Sequence, residues 1–526
     1  MPASLRSVVL VGLLAAPAAL AQTFRYASSG DILTLDPHSA DEALTDSFKF
    51  NTYEGLVRYD ENLRPEPALA VRWTNVDPVT WRFELRRGVT FHDGTPLTAD
   101  DVVFSLGRQK SKNSQKTPYV AAIKSVRKID DFTVEYVTHG PDPIFLRELV
   151  SHFIVSKKWC EQHNTTEPVA GMNDETYATR HENGTGPFQV IERVPDTRTV
   201  LVPYPGWWDT PRKQFNITRA EFRPLANPAT RLAALISGEL ELAYPIAPQD
   251  VPRVDGQRGL HVLKRPELRV IFLGMDQFRN ELLDMPGSGR NPFKDVRVRR
   301  AVYQAIDEEA IRTKVMRGMA APTGTMIPEG VDGYDPSLQA RLPYDPAASR
   351  RLLTEAGYPD GFPVTLDCPN DRYINDEAIC QAIVPMLARV GIKVSLNLQT
   401  KSKWLQKILR TSNNNTSFFL LGWHPVTIDA LGAFLPVMTL KAEGGGTFNA
   451  GRYSNPRLEE LLQQARAEMN TEKRLALLSE MQRIHREDVG HIPLHQQMVI
   501  WGVRDGVELK LDPRDHVVLR FVSVRK

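Results

Sequence analysis

The clearest pattern of hydrophobic and polar positions lies between residues 81 and 106. From 81 to 86, apolar side chains alternate with charged ones, which is the period-two pattern of a half-buried strand. Turn dipeptides containing glycine flank a short run at 89–92, which we expect to be a second strand. Thr98 and Asp101 then form a capping box, so a helix should begin there. The segment therefore predicts strand, turn, strand, turn and capped helix.

The same patterns divide the rest of the chain into two halves. Up to about residue 265, strands such as 132–138, 187–194 and 199–204 alternate with turns rich in proline and glycine. From 268 onward, helices alternate with apolar strands, which predicts an α/β fold with a mixed or parallel sheet. In chain order the predicted elements are the strand 268–275, the helices 292–311, 346–356 and 376–390, the strands 392–398 and 417–423, the helices 456–469 and 471–488, and the strand 492–503. For the helix 346–356, Asp345 is the expected N-cap, Pro346 the first helical residue, and Gly357 lies just past the end.

Length and charge limit the class of protein. The chain has 526 residues, of which 42% are hydrophobic and 24% charged, and these fractions are ordinary for a globular protein. A chain of this length is too long for one hydrophobic core and suits two or three lobes. The formal net charge is only +2, which argues against a nucleic-acid partner.

Residues 1–21 have the composition of a secretory signal peptide. Arg6 supplies the positive charge, 8–20 is apolar, and small residues place a cleavage site before Gln22. An uncleaved membrane anchor is the alternative, but the apolar run is short for a span and contains Pro17. No cysteine directly follows the apolar run, so we expect export with cleavage and without a lipid anchor.

The three cysteines are Cys160, Cys368 and Cys380, and an odd number leaves at least one thiol free. Cys368 ends a predicted strand and Cys380 lies in the next helix, so their Cα atoms could approach each other. The two either form a disulfide or remain as buried free thiols. The chain has no C-x-x-C motif, which argues against redox chemistry and structural zinc.

Motifs of enzymes are missing from the sequence. It contains no G-x-S-x-G, H-E-x-x-H, P-loop or G-x-G-x-x-G pattern. His491 and His495 are four residues apart, but the residues between them predict a strand, in which the two would not form a metal pair. We therefore predict no catalytic residues, no metal site and no cofactor.

Five segments of the chain carry a resemblance to a known family. The segments 81–106, 184–192, 293–307, 345–362 and 451–465 are similar, in this order, to motifs of the family 5 extracellular solute-binding proteins. This family comprises the dipeptide, oligopeptide and nickel receptors of ABC importers. Each motif is mainly a folding element, and it is their order along almost the whole mature chain that makes the resemblance specific.

The resemblance implies a large two-lobed periplasmic-binding-protein fold of the α/β class, with an extra subdomain in the first lobe. Residues 22–267 would form the first lobe, 268–494 the second α/β lobe, and 495–526 would return to the first. The chain would cross between the lobes near 265–273 and again near 490–497. Such receptors bind by closure about a hinge. A monomer in the periplasm, with an ABC transporter permease in the inner membrane as its partner, is therefore expected.

The best candidates for ligand binding follow the apolar strand 417–423. Trp423 and His424 lie at the carboxyl end of this strand, the edge at which open α/β sheets bind ligands, although Trp423 could instead be a core aromatic. The dipeptide receptors of the family carry, three positions beyond this tryptophan, an acid that pairs with the ligand's amino group. Val426 stands at that position here. Either Asp429 replaces the acid, or the ligand has no amine to bind.

A second set of candidates comes from the resemblance. Arg372 is the nearest match to the arginine that binds the ligand's carboxylate in the dipeptide receptors, and a lone surface arginine is the alternative. Two loops of the first lobe offer hydroxyl and backbone groups, although each residue singly is also explained by a turn. These residues are Ser28, Ser29, Gly30, Thr185 and Gly186.

These observations predict a periplasmic substrate-binding protein that takes up peptides or peptide-like solutes. His424 and Val426 favour, within the same family, a receptor for a non-peptide solute such as a metal chelate, an opine or an oligosaccharide. A ligand sensor or adaptor that is not coupled to import is the alternative from another class.

Overall fold

The computed structural model describes residues 22–170, 174–409, 414–440 and 445–525. The predicted signal peptide, 1–21, lies outside the described residues. The strands are β1 (Thr23–Ser28), β2 (Val57–Tyr59), β3 (Pro65–Pro67), β4 (Ala70–Asp77), β5 (Thr80–Leu85), β6 (Ile123–Asp130), β7 (Thr133–Thr138), β8 (Phe188–Val194), β9 (Arg198–Pro203), β10 (Arg219–Pro224), β11 (Leu242–Ala243), β12 (Leu260–Met275), β13 (Ala320–Pro322), β14 (Pro363–Pro369), β15 (Lys393–Gln399), β16 (Phe418–Trp423), β17 (Ile492–Arg504), β18 (Val507–Glu508) and β19 (Ser523–Val524).

The helices surround these strands and are longest in the second half of the chain. They are α1 (Ala43–Thr52), α2 (Ala99–Gln109), α3 (Phe145–Glu148), α4 (Lys157–Gln162), α5 (Tyr177–Arg180), α6 (Pro228–Ser237), α7 (Val251–Asp255), α8 (Val296–Ala305), α9 (Glu308–Ala310), α10 (Pro346–Glu355), α11 (Asp376–Ala388), α12 (Lys401–Ile408), α13 (Leu431–Ala433), α14 (Pro456–Ala467) and α15 (Thr471–Glu487). Each helix in the described part of the chain is too short or too polar to traverse a lipid bilayer.

One mixed sheet of 11 strands runs through the molecule, in the order β15-β14-β16-β12-β17-β11-β1-β10-β9-β8, with β13 also paired to β17. Strand β1 is parallel to β10 and β11, and β14 is parallel to β15 and β16. Between these two groups, β12 and β17 are antiparallel to each other and to their outer neighbours. The α/β class predicted from the sequence is confirmed.

Strands β12 and β17 connect the two sides of the sheet. The first half of β12 pairs with the second half of β17, which in turn pairs with β11 through Val503 and Leu242. The second half of β12 pairs with β16, with Val270 opposite Trp423. Both strands therefore run across the positions at which the crossings are predicted. The lobe boundaries at 267/268 and 494/495 stay a prediction.

A separate antiparallel sheet, in the order β4-β5-β7-β6, lies in the first half of the chain with α2 beside it. The predicted strand 81–86 is β5, and Thr98 and Asp101 form the predicted capping box at the start of α2. The predicted strand at 89–92 is wrong. Only an isolated bridge joins Thr90 to Pro96, because the turns on either side leave this short run without a partner strand.

The predicted helix 292–311 is also divided differently in the structure. It becomes α8 and α9 followed by a π-helical turn at Ile311–Val315. Asp295 accepts a hydrogen bond from the Arg297 N–H at 2.8 Å, and Asp307 accepts one from the Ala310 N–H at 2.9 Å. Each aspartate thus starts a new helix, and the apolar spacing continues across both breaks.

Candidate functional site

The candidate site lies where β12 and β17 cross the middle of the sheet. The pairing between them shifts register between Pro266 and Val270, so this segment bulges out of the ladder. Within the bulge, Glu267 bonds to Arg269 at 2.8 Å and accepts the Gln497 amide at 2.6 Å. Six charged side chains interact around this point and are termed the central polar cluster: Glu42, Glu267, Arg269, Arg372, Lys401 and Asp515.

The backbone around Arg372, between β14 and α11, is fixed by hydrogen bonds to several neighbouring side chains. The Asp376 carboxylate accepts the N–H groups of Arg372 and Tyr373, both at 2.9 Å. The Ile374 N–H donates to the Gln497 side chain at 3.1 Å, and this amide also bonds to Glu267. The segment that carries Arg372 is therefore connected directly to the bulge between the crossing strands.

A disulfide between Cys368 and Cys380 closes this segment. Cys368 is the sixth residue of β14 and Cys380 lies in the second turn of α11, with a Cα–Cα distance of 6.7 Å. Of the two possibilities that the sequence leaves open, the structure shows the disulfide. Cys160 is the remaining, buried free thiol.

Two cations of the cluster are partly buried and form no ion pair with any described residue. The Arg372 guanidinium lies 5.2 Å from the Tyr373 ring centre, and burial and the neighbouring Arg269 lower its pKa. The Lys401 N–H donates to the Asp371 carboxylate at 2.5 Å. Burial and Arg372 lower the pKa of the Lys401 ammonium group as well. An anion placed between these side chains would therefore be stabilised by both.

The acids of the cluster already have other partners. Glu42 caps α1 and accepts the Thr45 N–H at 2.9 Å. Asp515 accepts the Trp501 indole N–H at 2.6 Å. Burial, reinforced by Glu267, raises the pKa of Asp515 to about 7, so at neutral pH its charge is only partial.

Trp423 and His424 end β16 on the other side of the bulge. The Trp423 ring is half-buried against Phe448 at a centroid distance of 4.6 Å, and its N–H donates to the Gly432 carbonyl at 2.7 Å. The His424 Nε2 is buried and has no hydrogen-bond partner among the described residues. Burial and the proximity of Arg269 lower the pKa of His424 well below its ordinary value, so the imidazole is neutral.

A cavity of about 60 Å³ lies between α1 and the C-terminal tail. Its walls include the rings of Phe50 and Tyr59 and the charged pair Asp512–Arg514, which are joined at 2.5 Å. The Tyr59 hydroxyl donates to the Thr427 carbonyl at 3.3 Å, so this wall contacts the segment that follows β16. The cavity offers aromatic walls to a ligand group.

Comparison with known proteins identifies the family. Residues 64–444 match the model of the bacterial extracellular solute-binding proteins, family 5 Middle. This chain belongs to that family. Its members are receptors, so the expectation that the protein is not an enzyme is confirmed.

Individual relatives extend over nearly the whole chain. The glutathione-binding protein GsiB of Salmonella choleraesuis is 26% identical over 487 residues, which cover 91% of this chain and 90% of GsiB. The periplasmic binding protein DppA of Helicobacter pylori, solved with the peptide STSA, has a TM-score of 0.78 at 23% identity and covers 96% of this chain and 98% of its own. AgaA of A. tumefaciens, solved with agropinic acid, has a TM-score of 0.77 at 21% identity over 96% and 98% of the two chains. The fold is thus that of the large family 5 periplasmic binding proteins.

Asp429 is buried and ion-paired. Its carboxylate is 1% exposed, bonds to Arg474 of α15 at 2.5 Å, and accepts the Leu431 N–H at 2.9 Å. The replacement of the acid missing at Val426 by Asp429 stays a prediction, and the ion pair with Arg474 argues against it. A buried carboxylate needs a counter-charge, and Arg474, 45 residues away in sequence, supplies it.

Thr185 and Gly186 are buried next to the end of α1. The fully buried Thr185 hydroxyl donates to Glu54 at 3.1 Å. A Cβ on Gly186 would lie 2.6 Å from the Thr52 carbonyl carbon, so only glycine fits. His92, which belongs to the segment 81–106, donates its Nε2–H to the Gly186 carbonyl at 3.0 Å. These residues join the segment 81–106 to the end of α1, and ligand contact by Thr185 and Gly186 stays a prediction.

The loop after β1 lies closer to the cluster. Ser28 is buried, Ser29 exposed and Gly30 partly exposed. Burial raises the pKa of Tyr244 well above its ordinary value, and a hydrogen bond with Ser28 partly opposes this. Asp515 and Glu42 also act on the Tyr244 phenol. Ligand contact by Ser28, Ser29 and Gly30 stays a prediction.

Sequence reasoning did not identify five of the six cluster residues: Glu42, Glu267, Arg269, Lys401 and Asp515. One signal was present, because Pro266 lies inside an otherwise continuous strand and proline in a central strand marks a bulge. The expected bulge at Pro266 indicates that Glu267 and Arg269, which follow it in the chain, could point away from the regular ladder. Lys401 and Asp515 reach the cluster only through the tertiary fold. No described group of three or more His, Cys, Asp or Glu side chains has the arrangement of a metal site.

Proposed function

We propose that this protein is the periplasmic substrate-binding protein of an ABC importer, that it binds peptides or peptide-like solutes between its lobes, and that it delivers them to a membrane permease. The observation that carries this proposal is the Arg372 guanidinium. It is partly buried, forms no ion pair with a described residue, and stands on a segment bonded to the strand crossing. A partly buried guanidinium suits the forked recognition of a carboxylate.

Contacts across the molecule support binding by lobe closure. Arg147, next to the four-stranded sheet, forms an ion pair with Asp332 in the second half of the chain. The Tyr59 hydroxyl donates to the Thr427 carbonyl at 3.3 Å, three residues beyond His424. These contacts join the predicted first lobe to the predicted second lobe, as a closed form requires. Closure is stabilised only by interactions that are stronger in the closed form than in the open one.

The ligands of related proteins support the class of solute. GsiB is named for glutathione and the DppA structure contains a peptide, while AgaA holds agropinic acid. A second candidate is therefore a family 5 receptor for a non-peptide solute of the opine type. The neutral His424 beside Val426, at the place where dipeptide receptors carry an acid, favours this candidate.

The periplasm and the monomeric state belong to the same proposal. They rest on the signal-peptide composition of 1–21 and on the family assignment. The inner-membrane permease is the partner that the family assignment implies. Residues 22–267 with 495–526 are proposed as one lobe and 268–494 as the other.

Calorimetric titration of the mature protein with a panel of solutes tests the proposal. The panel contains dipeptides, tripeptides, glutathione and agropinic acid. We expect one solute per chain, a smaller radius of gyration in small-angle scattering on binding, and recovery of the solute unchanged by chromatography. Chemical conversion of the solute, or no binding by any member of the panel, would overturn the proposal.

A further inference from the structure

We propose that Lys401 and Arg372 together form a two-cation site, and that the ligand therefore carries two carboxylates at the end that faces them. This inference rests on the proposed function, because it names the substrate class of the same site. Neither the family assignment nor the sequence pattern singles out Lys401.

The backbone geometry places Arg372 and Lys401 close to each other. Lys401 is the first residue of α12, and its N–H donates to the carboxylate of Asp371 at 2.5 Å. Arg372 directly follows Asp371, and its own N–H is bonded to Asp376. The start of α12 is thus attached to the segment that the disulfide and Asp376 fix in place. Both side chains are partly exposed, so a solute can reach them.

The nearby acids do not neutralise these cations through ion pairs. Glu267 is bonded to Arg269 and Gln497, and Glu42 accepts N–H and O–H groups of Thr45. Asp371 accepts the Lys401 backbone N–H and is exposed to solvent. Each carboxylate therefore has a partner other than the Arg372 guanidinium or the Lys401 ammonium group.

The electrostatic balance at the two cations agrees with this geometry. The pKa values of Arg372 and Lys401 are both lowered, first by burial. Arg269 is the next cause at Arg372, and Arg372 is the next cause at Lys401. Glu267 and Glu42 at Arg372, and Glu42 and Asp371 at Lys401, partly oppose this lowering. An anionic ligand that contacts both cations would further favour their charged forms.

The other end of the site offers no matching anion. Val426 occupies the position of the amine-binding acid of the dipeptide receptors and is 40% exposed. His424 is neutral, and Asp429 is paired with Arg474. A ligand amine would find no free carboxylate among these residues. The site therefore favours negative charge at one end without requiring positive charge at the other.

Matched pairs of probes that differ by one carboxylate test this inference. The pairs are Ala-Glu with Ala-Gln and Ala-Ala-Glu with Ala-Ala-Gln, each titrated calorimetrically at fixed ionic strength. For the wild type we expect the acidic member of at least one pair to bind about tenfold more tightly. In Lys401→Gln this preference should fall to about twofold or less, while the affinity of the amide partner stays the same.

Lys403→Gln is the control, because Lys403 is an exposed cation in the same helix and should leave the preference intact. Equal affinity for acidic and neutral members in the wild type, or an unchanged preference in Lys401→Gln, would overturn the inference and leave the proposed function standing. If solutes with a single carboxylate bind and none of the acidic probes does, the inference is likewise overturned and the proposed function stands. If no solute of this set or of the earlier panel binds, both the two-cation site and the proposed function are overturned.

Discussion

The disulfide between Cys368 and Cys380 is expected to stabilise the fold and to order the segment that carries Arg372. The perturbation is its reduction, which leaves both sulfur atoms in place, or the double variant Cys368→Ala/Cys380→Ala. Both cysteines are fully buried, so the bond joins β14 to α11 inside the core. Its loss should increase the freedom of the segment between them in the unfolded chain and in the free receptor.

The expected magnitude follows from the length of the closed loop. The cysteines are separated by 12 positions, for which the chain-entropy model gives a stabilisation of about 3 kcal/mol at 25 °C. Asp376 and Gln497 continue to hold the backbone around Arg372 after reduction. We therefore expect a smaller effect on ligand affinity, about threefold to tenfold, or about 1 kcal/mol.

Urea unfolding followed by circular dichroism, with and without a phosphine reductant, measures the first effect. Calorimetric titration under the same two conditions measures the second. The wild type should be less stable after reduction, whereas the double variant should not respond to the reductant. Cys160→Ala is the control, because Cys160 is buried and outside the disulfide. This variant should respond to the reductant as the wild type does.

Equal unfolding free energies for the oxidised and reduced wild type would refute the loop-closure argument, provided that thiol titration shows two additional thiols after reduction. An unchanged ligand affinity, with the stability loss present, would refute only the role of the bond in ordering Arg372.

Three further variants test other parts of the structure. Arg372→Ala should weaken an anionic ligand at least about thirtyfold in calorimetric titration, because a partly desolvated carboxylate would lose its partner. Arg474→Met should destabilise the fold by about 3–5 kcal/mol in urea unfolding, since it leaves the buried Asp429 charge unpaired. Burial lowers the pKa of His485 to about 4 in the folded protein. As the pH falls, His485 is therefore protonated in the unfolded chain before it is protonated in the fold, and this favours unfolding. Between pH 7 and 5 the wild type should therefore lose about 2 kcal/mol of stability relative to His485→Gln.

For each of these variants one result would contradict the prediction. A wild-type affinity in Arg372→Ala would remove the carboxylate contact. A loss below about 1 kcal/mol in Arg474→Met would show that Asp429 becomes neutral at little cost. A parallel pH dependence of the wild type and His485→Gln would show that His485 does not resist protonation in the fold.

Local patterns in the sequence predicted the regular elements well where one face of an element is buried. The alternation at 81–86 and the apolar run at 417–423 correspond to β5 and β16. The capping signal at Asp345 and Pro346 marks the start of α10, where the Asp345 side chain accepts the Ala348 N–H. These features depend on neighbouring residues only, so the sequence contains the information that they require.

The errors arose where a distant partner or a local break decides the outcome. Residues 89–92 have strand composition but no strand beside them, and Asp307 ends a run whose apolar spacing continues. The ion pair of Asp429 could not be predicted either, because its counter-ion, Arg474, is remote in sequence. A charged residue near a predicted strand end is therefore weak support for a binding site until its ion-pair partner is known.

The candidate site was predictable only in part. Trp423, His424 and Arg372 were found because they lie near the ends of recognisable elements, and the structure places His424 and Arg372 within electrostatic reach of Arg269. Lys401 and Asp515 come from a helix and a tail that carry no sequence signal of their own. Their positions depend on how the two sides of the sheet meet at β12 and β17.

Native mass spectrometry of the mature protein, purified without denaturation, tests the central claim most directly. Wild type and Arg372→Ala are prepared in parallel from the same host. A receptor that holds a carboxylate-bearing solute at Arg372 should retain one small molecule per chain, and the variant should retain much less of it. Equal occupancy in the two proteins would contradict the claim, because the solute would then be held without the guanidinium assigned to it.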